Sequence, residues 1–130
     1  MGRSPHASPA TADLLVTAGR RRTLAARAFS IVESDYADAD PRLCPEVVAA
    51  RLGVTPRQLD RCLLPGPPLR LLIARVRAHA LRRMLLRGDV VRLQDAAASV
   101  GFASVREMRR HYRRVFGEAP DRLAERLREH

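Results

Sequence analysis

The sequence predicts an all-α fold of about seven helices, and three observations predict it. Apolar residues recur at helical spacing along most of the chain. Gly53, the Pro65–Pro68 stretch, Gly88 and Gly101 punctuate those runs. An Ala-x-x-x-Gly unit occurs twice, as Ala49 to Gly53 and Ala97 to Gly101. With one inserted residue in the second turn, Thr55, Leu59 and Arg61 align with Ser104, Met108 and Arg110. Two copies of one unit point to two helix-turn-helix subdomains joined by a long linker helix.

Taken in order, residues 1–22 read as a flexible N-terminal tail. Ser, Pro, Ala and Gly dominate its start, and Pro5 and Pro9 are expected to break any helix. Asp13 to Ala18 allow a short helical turn, and Arg20, Arg21 and Arg22 form a basic run that is either an arm on DNA backbone or a solvated flank. The first strong helix is predicted from Thr23, a candidate cap, to about Tyr36. Leu24, Ala28, Ile31 and Val32 give its stripe, with Phe29 beside it, and the acidic stretch from Asp35 to Pro41 ends it.

The first helix-turn-helix is expected at about 44–64. Pro45 suits a first helical turn. Val48, Ala49 and Leu52 face inward, Gly53 turns the chain, and Thr55 caps a second helix anchored by Leu59 and Leu63. Leu64-Pro65-Gly66-Pro67-Pro68 then stops that helix, since proline cannot continue it. A long helix is predicted at about 69–87, with Leu69, Leu72, Ile73, Val76, Ala80, Met84 and Leu85 as one buried stripe. Arg75, Arg77, Arg82, Arg83 and Arg87 lie largely outside the stripe. Arg75 and Arg77 are assigned to solvent, and DNA-backbone contact near the helix ends stays open for the others. Gly88-Asp89 stops the helix.

The second helix-turn-helix is expected at about 93–116. Gly101 lets two helices cross closely and tolerates positive φ. Ser104 and Glu107 have capping-box spacing. Met108, Tyr112, Val115 and Phe116 form the inner stripe, and Arg106, Arg109, Arg110, Arg113 and Arg114 cover much of the rest. That combination has the shape of a DNA recognition helix. Pro120 to about Arg128 closes the chain as a short helix, with Leu123 and Leu127 as its staples.

Composition narrows the function. The 130-residue chain is one domain by length. Its formal charge is +10, all of the basic residues being arginine, and its pI is about 11.4. This favours a polyanionic partner. Arginine adds a planar donor fork suited to phosphates and guanine edges. Aromatics make up only 4% of the chain and read as core, against RNA recognition by base stacking. Cys44 and Cys62 have no metal or redox spacing, and His6, His79, His111 and His130 are scattered. Neither a metal, a cofactor nor an enzymatic constellation is expected. No apolar run approaches the roughly 20 residues of a membrane span, and the start lacks a signal-peptide pattern, so the expected location is cytoplasmic.

Ala97, Gly101, Phe102, Ser104, Arg110, Tyr112, Phe116, Gly117 and Pro120 carry a resemblance. They fall where the AraC/XylS family of transcription regulators has its signature, A-x-x-x-G-F-x-S-x-x-x-F-x-R-x-F-x-x-x-F-G-x-x-P. Met108 and Tyr112 stand where phenylalanine is usual, and Glu107 replaces a frequent aromatic or polar residue. The resemblance spans about Thr23 to Arg128, so that 23–130 reads as an AraC-type DNA-binding domain of the compact, sensorless kind. Met1 favours a complete chain.

The resemblance implies a monomer that reads double-stranded DNA with two heads in successive major grooves. Position by position it implies Val105, Arg106, Glu107 and Arg110 near bases in the second head, and Arg57, Asp60 and Arg61 in the first. Arg109, Arg113 and Arg114 fall to phosphates or solvent. Asp60 would either accept from a cytosine amine or repel phosphate. The competing expectation is a basic interaction module that keeps the fold and binds another regulator or RNA polymerase. Binding to nucleic acid or a membrane surface by charge alone is a third.

Overall fold

The computed structural model describes residues 9–34, 40–89 and 92–129, with side chains from residue 18 onward. Those residues form seven helices and no strand: α1 (Pro9–Ser34), α2 (Pro45–Arg51), α3 (Pro56–Leu63), α4 (Leu69–Arg87), α5 (Leu93–Val100), α6 (Val105–Phe116) and α7 (Pro120–Arg128).

The first helix departs most from expectation. It begins at Pro9, not Thr23. Proline breaks a helix only from within; at the first position it gives up an N–H that would have no partner anyway. Thr23 is therefore not a cap. It lies inside α1, and its Oγ1 donates back to the Gly19 carbonyl at 3.1 Å. Arg20, Arg21 and Arg22 are helical and exposed. Of the expected stripe, Leu24, Ala28 and Val32 are buried and Ile31 is half-buried, while Phe29 beside it is 42% exposed. The acids at 35–39 and Tyr36 lie outside the described residues.

Two hydrophobic cores flank α4. The first gathers Leu24, Ala28 and Val32 of α1 with Val48, Ala49, Leu59 and Leu63, and takes Leu69, Ile73 and Val76 from α4. The second gathers Ala96, Ala97, Val100, Phe102, Met108, Tyr112 and Leu123, and takes Ala74, Ala78, Ala80, Leu81 and Leu85. At about 3.6 residues per turn, Leu69, Ile73 and Val76 fall on one side of α4, and Ala74, Ala78, Leu81 and Leu85 on a side roughly 140° away. A single stripe was the wrong expectation for this helix. Each head has its own face, so apolar residues run most of the way round.

A junction joins the heads beside α4. Arg77, assigned to solvent from sequence, is half-buried, and its Nη2 donates to the Leu43 carbonyl just before α2. Gly101, with φ +99°, leaves room for it: a Cβ there would lie 2.8 Å from Arg77 Nε and 2.9 Å from Pro41 Cα. The turn of the second head thus packs on the entry to the first. In α7, Leu123 is buried in the second core, whereas Leu127 is 39% exposed and packs on neither core.

Candidate nucleic-acid interface

Each head builds its outer helix in the same way. In α3, Thr55 accepts from the Gln58 N–H at 3.1 Å, and Gln58 Oε1 accepts from the Thr55 N–H at 2.9 Å, a complete capping box. In α6, Ser104 accepts from the Glu107 N–H at 3.0 Å. Glu107 reaches one residue further back than the capping box predicts, and Oε2 accepts from the Ala103 N–H at 2.9 Å. The inner anchors, Leu59 and Met108, are both fully buried.

With the anchors superposed, Arg57 and Arg61 of α3 occupy the register of Arg106 and Arg110 of α6. All four are exposed and point away from the core face. Arg113 and Arg114 extend the exposed basic surface of α6. None of these six arginines forms an ion pair among the described residues.

The next matched register behaves differently. Asp60, expected to face DNA, is half-buried, and its Oδ1 accepts from the Leu69 N–H at 2.9 Å. Leu69 opens α4 behind Pro68, whose side chain cannot cap, so Asp60 supplies the acceptor that the helix start lacks. Arg109, expected on phosphate or in solvent, makes a two-point pair with Asp121 in the first turn of α7, at 3.1 and 2.9 Å. In both heads this position ties the outer helix to the start of the following one. Asp60→Ala should cost about 1 kcal/mol of stability, as for a lost cap, while Asp60→Asn keeps an acceptor and much of that stability. Urea unfolding of the two variants checks this.

Glu107 and Val105 also turn partly inward. Glu107 Oε1 lies 3.8 Å from His111 Nε2, and Val105 is half-buried against the second core. His111, read from sequence as a scattered histidine, is buried and stacks on Phe102 with ring centres 6.0 Å apart. Burial holds its imidazole below the ordinary value. Arg110 and Arg114 push the same way, and Glu107 opposes them.

The folded state therefore prefers neutral His111. Its contribution is complete above the unfolded value near 6.5 and is lost as pH falls toward the lower folded one. Wild type should lose stability as pH falls below about 6.5 more steeply than His111→Phe, as melting at each pH would record. On the other side of α6, Phe116 meets His79 edge-on at 4.9 Å and carries Arg82 over its ring at 4.8 Å. Arg82 is half-buried there.

The paired, capped helices with matching outward arginines are helix-turn-helix heads. A family model described as "Helix-turn-helix domain" matches residues 48–126, more than half of the chain and both heads. The chain belongs to the AraC/XylS family. Members of this family are DNA-binding transcription regulators, and the all-α arrangement of seven helices agrees with the AraC-type fold. Comparison with curated proteins found no match, and neither did comparison with solved structures. No helix among the described residues is long and apolar enough to cross a membrane.

For an AraC/XylS chain, the bonds of Arg109 and Asp60 were the least visible from sequence. Asp60 meets a backbone N–H nine residues on, and Arg109 meets a carboxylate twelve residues on, neither of which has a helical period. The prolines after Leu64 were the available signal: they start a new helix with free N–H groups near the last turn of α3.

Proposed function

We propose that this protein is a sequence-specific, double-stranded DNA-binding transcription regulator. It acts as a monomer that places α3 and α6 in successive major grooves. The observation that carries this reading is the repeated pair of exposed arginines, Arg57 with Arg61 and Arg106 with Arg110, on the two outer helices. A guanidinium on such a face can bond two acceptors of one guanine edge. Arg113 and Arg114 suit phosphates, which fix register. Heads on separate faces of one rigid helix do within a chain what two subunits do in a dimer, and reach sites about 34 Å apart. Such a protein acts in the cytoplasm.

The reading as an interaction module for another regulator or RNA polymerase rests on Asp60, Glu107 and the shortness of α3, eight residues against twelve in α6. Both carboxylates accept backbone N–H groups of their own heads. Their engagement there supports the DNA reading. Selection of sites from a random duplex pool at near-physiological salt tests it. An asymmetric motif with two blocks about one helical turn apart is expected. A single block would remove base reading from the first head, and no enrichment would favour the interaction module.

A further inference from the structure

The extension of α1 changes the place of its basic run. Arg20 and Arg21 do not precede the fold; they ride on a helix packed across α3 through Leu24 and Ala28. Between the two helices lies a groove of about 320 Å³, lined by Arg20, Arg21, Gln58, Arg61 and Cys62 among others. Three arginines line it together with Leu24, Gly53 and Val54, and none of its described lining residues carries a carboxylate. Gln58 has already spent Oε1 on the Thr55 N–H, so the amide nitrogen left to it is a donor. Three cationic side chains and an amide donor therefore share one groove, a set that suits an oxyanion. Arg61 belongs both to this groove and to the outward face of α3. An anion seated here therefore adjoins whatever α3 reads.

We propose that the groove between α1 and α3 seats a backbone phosphate of the same DNA, at the outer edge of the first head's block. The inference rests on the DNA-binding reading above. It makes α1 a clamp: Arg20 and Arg21 hold the strand from outside while α3 enters the groove. Arg20 and Arg21 then set affinity and register, and carry no sequence information.

The test compares the wild-type chain with Arg20→Ala/Arg21→Ala on the selected site and on random duplex, over a range of salt. Both residues are exposed, so the variant should fold, and its melting curve checks that. Affinity should fall about tenfold on both DNAs alike, and the salt slope should shrink by about 1. Replacing the edge phosphate by a neutral methylphosphonate should weaken wild type and leave the variant unchanged.

A control variant, Arg87→Ala/Arg128→Ala, removes the same charge at the ends of α4 and α7. An equal loss in that control would mean net charge alone acts, and would overturn the proposal. So would an unchanged slope in the groove variant, or a methylphosphonate effect that survives it. A wild type that selects its site while the groove variant binds normally overturns only the clamp. A wild type that binds no DNA overturns the DNA-binding reading and the clamp together.

Discussion

Gly101→Ala should destabilise the fold by about 2–4 kcal/mol, against about 1 kcal/mol for Gly53→Ala. The two glycines fill the same place in the two copies of the repeat, and both have positive φ, +99° and +71°. An L-residue in that region costs about 1–2 kcal/mol from its own backbone. What separates the two sites is what surrounds them. A Cβ on Gly53 meets open space, whereas one on Gly101 runs into Arg77 Nε and the Pro41 backbone. Arg77 cannot swing away without releasing the Leu43 carbonyl, and Pro41 is main chain, so the clash is relieved only by parting the heads. Urea unfolding gives both values. Equal losses would mean that the junction yields easily and that α4 alone holds the heads in register.

Arg106→Ala/Arg110→Ala should remove about 2–6 kcal/mol of binding at the selected site, at about 1–3 kcal/mol per good base contact. On random duplex the loss should be far smaller, that of two exposed charges. The matched variant in the first head, Arg57→Ala/Arg61→Ala, should lose a comparable amount if α3 reads bases. Both pairs lie on exposed outward faces, so neither variant disturbs a core. Titration against selected and random duplexes measures the two differences. Equal loss on both DNAs would reassign these arginines to phosphates. A loss confined to the second head would leave α3 a positioning element. Arg109→Ala makes a useful contrast, because its guanidinium is already bonded to Asp121. As an exposed pair it adds little to stability, and its loss should leave base preference unchanged.

Helix existence, order and class were legible in the sequence because they depend on near neighbours. The inner stripe of α6 repeats every three or four residues, Thr55 and Ser104 bond N–H groups three residues away, and Gly88 and Gly117 end helices in the left-handed region. The start of α1 was misread for an equally local reason: proline breaks or begins a helix according to which side of it the helix lies. The faces of α4 were misread because period analysis assumes one buried side, and this helix has two.

The candidate interface was legible in part. Its arginines are numerous and spaced for exposure, so the sequence by itself determined that two outer helices carry them at one register. Only the tertiary structure decided which charged residues are committed elsewhere. Asp60 goes to the start of α4, Arg109 to Asp121, Arg77 to Leu43, and Glu107 to Ala103 and His111. It also decided that Arg20 and Arg21 share a groove with Arg61. The physical reason is reach: capping and periodicity act within a turn or two of one helix, while an ion pair or a groove depends on where a distant segment is packed.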